Sequence, residues 1–145
     1  MAEESLEQLY SRQILALAAD IPHAAKLAAP QASARKRSPL CGSTVTVDLC
    51  VENGRIADFG QTVRACALGQ ASAAVLGRAV IGCDRATLAA GRAALLAMLT
   101  EAGPTPPAPF AGLEVLRPAA EFKNRHPSIL LAWDATIEAF DTAER

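Results

Sequence analysis

At 145 residues the chain has the length of one domain, spanning 1–145, and a chain of this size buries roughly 68–70% of its unfolded surface without needing disulfides. Alanine supplies 32 residues and aromatics only 4%, a composition suited to closely packed helices. The 14 basic and 15 acidic residues nearly cancel, which leaves no cationic footprint for nucleic acid, and the longest uncharged stretch, Ala65 to Gly77, is shorter than the roughly 20 apolar residues a membrane helix needs.

The N-terminal region carries Glu3, Glu4 and Glu7 rather than a basic start and an apolar run, so no signal peptide is read and a cytoplasmic protein is expected. Leu6, Leu9, Tyr10, Ile14, Leu15 and Leu17 recur near helical spacing and predict a helix over 5–19. Ser5 and Gln8 form its capping box, and Pro22 stops it. Residues 22–40 hold three prolines and the basic run Arg35, Lys36 and Arg37; they read as a loop or an irregular strand, with the run as a solvated edge or a docking patch.

Residues 44–52 alternate, with Val45, Val47, Leu49 and Val51 on one face, as in a half-buried strand. Asn53-Gly54 is a hairpin signal because both residues tolerate positive φ. Arg55 to Arg64 returns as the partner strand, with Ala57, Phe59 and Val63 on one face and a bulge at Gly60. Leu68 to Val80 is predicted as a small-residue helix, and Asp84 caps a second helix running to Thr100. The five prolines between 103 and 118 read as a loop. A last helix is predicted over 128–143, with Pro127 at its start. The expected fold class is α+β: a small antiparallel β-sheet packed on several helices.

Four cysteines remain, Cys41, Cys50, Cys66 and Cys83, with no CxxC pair. In a reducing compartment they serve metal, redox chemistry or packing. Cys41 stands just before the hairpin and Cys66 just after it, so both fall at the end of the sheet away from the turn. Cys66 also precedes a helix, whose free N–H groups favour a thiolate, and Arg64 adds positive charge if it faces the same way. Packing as a small hydrophobe is the plain alternative. Cys50 lies near the turn, roughly 30 Å of extended chain from Cys41, and Cys83 lies between helices; neither is expected to bind a ligand. His23 and His126 are isolated, and no serine nucleophile elbow, metal-binding histidine pair or phosphate loop is present.

Pro39-Leu40-Cys41-Gly42, the Asn53-Gly54 turn and Cys66-Ala67-Leu68-Gly69-Gln70-Ala71-Ser72, together with Leu9-Tyr10-Ser11 and Leu131-Ala132-Trp133, resemble the NifU N-terminal, IscU and SufU family of iron–sulfur cluster assembly scaffolds, and the SufU branch best. The resemblance covers residues 6 to 141. It implies a SufU/IscU-like fold and a site of three cysteines and one aspartate. Cys41 and Cys66 match the first two cysteines, Ser43 stands at the aspartate position, and Ser128 stands at the third cysteine, with Pro127 one residue away and His126 as a further candidate.

The implied function is iron–sulfur cluster assembly, as scaffold or sulfur acceptor, with no enzymatic activity. Cys41 and Cys66 are then the candidate ligands for an iron–sulfur cluster, iron or zinc, unless the site stays apo. A cysteine desulfurase is the partner the resemblance implies, and two copies sharing one cluster would supply four thiolates. The alternatives are a regulatory or partner-binding module of the same fold that has lost metal binding, and a redox pair of the two thiols.

Overall fold

The structure is a computed structural model and describes residues 10–39 and 41–145. Helix α1, Arg12–Ala19, starts at Ser11, whose hydroxyl accepts the Ile14 N–H at 3.3 Å. The expected cap at Ser5 and Gln8 lies outside the described residues, as do Leu6 and Leu9. Three strands follow: β1 Ala32–Arg37, β2 Thr44–Glu52 and β3 Arg55–Arg64, in the order β1-β2-β3 with both pairs antiparallel. The segment left open between loop and strand is therefore an edge strand. Asn53 and Gly54 both take positive φ, 53° and 73°, as the two-residue turn requires.

The register of β2 and β3 shifts between Cys50 and Val51, which pair with Asp58 and Ile56. Ala57 is the extra residue, and it is exposed while Ile56 is buried. This corrects the face expected for β3: Ile56, Phe59, Gln61 and Val63 point inward. The bulge is not at Gly60, which pairs regularly with Asp48. That glycine serves a close approach instead, because a Cβ there would collide with the carbonyl oxygen of Ala25.

Helix α2, Ala67–Ala79, is followed by α3, Arg85–Thr100, which Asp84 caps by accepting the Thr87 N–H at 2.8 Å. The proline-rich segment is not all loop. A 3₁₀-helix runs over Ala111–Glu121 and a short second one over Lys123–Arg125, leading straight into α4, His126–Ala143. Leu113, Leu116 and Ala119 recur every third residue and are buried, the spacing of three residues per turn. The segment is pinned by Arg117, which donates to Glu114 and to the Gly103 carbonyl. No described helix is long and apolar enough to cross a membrane.

One face of the sheet packs on α4, which also contacts α2 and α3, while α1 lies on α2. Val45, Val47, Leu49 and Phe59 from the sheet meet Leu68, Leu76, Ile129 and Trp133 from the helices in one buried cluster. This layering brings the start of β2 and the N-termini of α2 and α4 to one corner.

Candidate functional site

Four side chains meet at that corner. The turn between β1 and β2 closes through Ser38 N–H to Ser43 O at 2.8 Å and Gly42 N–H to Ser38 O at 3.0 Å. Gly42 takes φ +72°, and the turn leaves Cys41 exposed. The Cys41 sulfur lies 3.0 Å from the Ser43 hydroxyl. Ser128 donates to Ser43 at 3.2 Å, and its oxygen lies 3.6 Å from the Cys66 sulfur. The side chains thus run Cys41, Ser43, Ser128, Cys66 in an unbroken line, with both serines buried.

Two features of the helices allow this. Cys66 is the N-cap of α2, and Ser128 lies in the first turn of α4. Gly69 lets the two helix ends close, because a Cβ there would stand 2.7 Å from the Ser128 hydroxyl. Any side chain at 69 would push Ser128 away from Cys66.

The surroundings favour thiolates. Cys41 is lowered to about 7, first by the Ser38 hydroxyl and then by the Ser43 hydroxyl and N–H. Ser38 is buried, and its hydroxyl has no hydrogen-bond partner among the described residues, which leaves it free to donate to a thiolate at Cys41. At Cys66, burial pushes the thiol up. The Gly69 N–H, the Ser128 hydroxyl, the Leu68 N–H and the Arg125 side chain together outweigh that burial, and the net direction is down. Cys83 goes the other way: burial raises it, the Asp84 charge adds to that, and its S–H donates to Ala79 O. Cys50 is half-buried against the Ala29 carbonyl. None of the four cysteines is in a disulfide.

The sequence reading placed Cys41 and Cys66 at one end of the sheet, and the structure links them through Ser43 and Ser128. Ser128, not Pro127, turns into the line. His126 does not join: its Nε2 is bonded to the Ala119 carbonyl at 2.9 Å. Arg64 is not the cation beside Cys66; Arg125 is, at the end of the second 3₁₀-helix. Ser38 and Arg125 were missed. Arg125 stands three residues before Ser128, one helical turn away, a spacing that could have flagged it; Ser38 acts through a turn that no pattern announces.

The Cys41 value predicts a reactivity profile. The thiolate is the reacting form, so alkylation by iodoacetamide should rise through a midpoint near pH 7 and level off above it. Ser38→Ala removes a donor to the thiolate and should move the midpoint upward, slowing the reaction at pH 7. An unshifted midpoint would show that Ser38 does not act on Cys41.

A solved structure of the N-terminal part of a nitrogen-fixing NifU-like protein from Brucella abortus is similar to this chain at TM-score 0.93 and 41% identity, covering 97% of each chain. This chain belongs to the NifU-like N-terminal family. A protein assigned as an iron–sulfur cluster assembly scaffold for the SUF system in Fervidobacterium islandicum shares the NifU-like fold at TM-score 0.81 and 18% identity, over 92% of this chain and 98% of that one. A third structure, described only as that of a hypothetical protein, shares it at TM-score 0.77 and 23% identity, over 93% and 98%. No family model matches, and no curated protein matches. Within this NifU-like chain, no group of three or more His, Cys, Asp or Glu side chains among the described residues is placed to hold a metal ion.

Proposed function

We propose that this protein works in iron–sulfur cluster assembly and handles sulfur, or a growing cluster, on Cys41 and Cys66. The observation that carries this is the line Cys41-Ser43-Ser128-Cys66, in which two thiols at the implied ligand positions are held together and both are biased toward thiolate. A module that had lost this chemistry would have no use for two activated thiols in one corner.

One chain offers two thiolates where a [2Fe–2S] cluster takes four ligands, and the serine hydroxyls stay protonated near neutral pH. A cluster carried here is therefore shared between two copies. Sulfur acceptance asks for less. The outer sulfur of a desulfurase persulfide passes to the Cys41 thiolate, forming a Cys41 persulfide and releasing the donor cysteine as its thiolate. The chain is then a carrier and not a catalyst.

The test has two arms. Incubation with a cysteine desulfurase and cysteine should add roughly 32 Da, one sulfur atom, to Cys41. Anaerobic reconstitution with iron and sulfide should give visible charge-transfer absorption in a dimeric fraction, lost in Cys66→Ser. Absence of both signals in the wild-type protein would end the proposal.

A further inference from the structure

Alternation along β1 divides the basic run. Lys36 turns to the helical side and pairs with Glu138 of α4 at 3.3 Å. Arg35 and Arg37 leave from the opposite face and line an open cleft of about 560 Å³. Strand register sets out the floor of that cleft. Arg35, Thr46 and Thr62 form one row across the three strands, and Arg37, Thr44 and Arg64 form the next. Lys26 closes one side. The central strand therefore presents the hydroxyls of Thr44 and Thr46, with cations on β1 at Arg35 and Arg37 and on β3 at Arg64.

None of the four cations is in an ion pair among the described residues. The carboxylate in the following row, Asp48, is buried and taken up by the Ser33 hydroxyl at 2.6 Å and the Leu27 N–H at 3.1 Å. In a chain with a net charge of −1, four unpaired cations on one face form a concentrated positive field, and such fields steer and orient acidic partners.

The spacing chooses among anions. Residues two apart on a strand are separated by about 7 Å, and residues two strands apart by about 10 Å. These distances suit side chains that alternate along an extended polypeptide better than they suit one compact phosphate group. The position also matters. Gly42 lines the cleft, with the Arg37 guanidinium 4.0 Å from where a Cβ would stand, and its neighbour Cys41 is exposed.

We propose that this cleft docks an extended acidic segment of a partner protein, laid across the outer face of the sheet with its carboxylates on Arg35, Arg37 and Arg64 and its course passing beside Cys41.

The test uses the full chain and a fluorescein-labelled peptide of alternating glutamate and threonine. Binding by fluorescence anisotropy should weaken at least about tenfold in Arg35→Glu/Arg64→Glu, since both attraction and sign are lost. It should change less than about twofold in Arg78→Glu, an exposed cation on α2 away from the cleft. Arg35→Ala/Arg64→Ala provides the same comparison if charge reversal disturbs folding. Saturating peptide should slow iodoacetamide alkylation of Cys41 and leave Cys50 unchanged. Equal weakening by Arg78→Glu, or no protection of Cys41, would overturn the proposal. So would inorganic pyrophosphate binding more tightly than the peptide, which would make this a small-anion site. The measurement needs neither iron nor a sulfur donor, so its failure is distinct from failure of the assembly role.

Discussion

Replacing Ser43 with Asp and Ser128 with Cys is expected to turn the protein into a tight zinc binder with one ion per chain. Neighbouring donors in the line already lie close together. Its successive atoms lie 3.0, 3.2 and 3.6 Å apart, and thiolates bound at about 2.3 Å to a tetrahedral ion stand roughly 3.8 Å from one another. What the wild-type protein lacks is charge. Two neutral hydroxyls occupy positions where a ligand must be deprotonated. The double substitution supplies three thiolates and a carboxylate on an unchanged backbone. Zinc affinity, read by competition with a chromophoric chelator, should rise by at least about a thousandfold over wild type, in line with the energies structural zinc sites reach. The metal-free variant should melt below wild type, because the new carboxylate at the buried position 43 is desolvated and stands beside the Cys41 sulfur. Zinc at about a thousand times its dissociation constant should then restore about 4 kcal/mol. A chelator competition curve matching wild type would mean that the corner cannot close around an ion, and the two serines would then mark a rebuilt site rather than a ligand set with two members exchanged.

The parts of this arrangement that local patterns encode were legible. Alternation in 44–52, the Asn53-Gly54 turn and the Asp84 cap all act within a few residues, and all three appear where expected. The convergence of Cys41 and Cys66 followed from the hairpin alone. Failures came where distant packing decides. β1 has small and basic residues with a weak apolar signal, yet Ala32 and Ala34 are buried because α4 covers that edge. The residues 111–121 read as loop because Pro118 and the prolines before it outweighed a buried residue at every third position. The extra residue at Ala57 depends on where the β2–β3 register slips, which neither strand announces alone. The serine line was half visible. Ser43 and Ser128 were placed by resemblance, but Ser38 and Arg125 reach the thiols through a turn and a 3₁₀-helix whose geometry is not written in short-range spacing.

Resemblance also pointed to Ser72 and Leu131-Ala132-Trp133 without a physical reason, and the structure supplies one. The Trp133 Nε1–H donates to the Ser72 hydroxyl at 3.0 Å, and that hydroxyl donates to the Ile129 carbonyl at 2.7 Å. The clamp joins α2 to α4 close to the point where Cys66 and Ser128 meet. Trp133 is fully buried, and its ring packs edge-to-face with Phe110 at 4.8 Å. Trp133→Ala is therefore expected to cost about 3–5 kcal/mol, lowering the melting temperature by on the order of 10 °C in a chain of this length. Trp133→Phe keeps an aromatic ring and loses the N–H, so about 1–2 kcal/mol is expected. Gly91→Ala tests the same seat from α3. Alanine favours a helix by about 1 kcal/mol over glycine, but its Cβ would stand 2.7 Å from both the Phe110 and Trp133 rings. Overpacking against two buried rings costs about 1–3 kcal/mol, so net destabilisation is the expected sign, read by chemical denaturation. If the clamp holds the site as well as the core, Trp133→Ala should also speed alkylation of half-buried Cys66 at temperatures where the protein is still folded. Unchanged Cys66 reactivity alongside a lowered melting point would confine the clamp to the core.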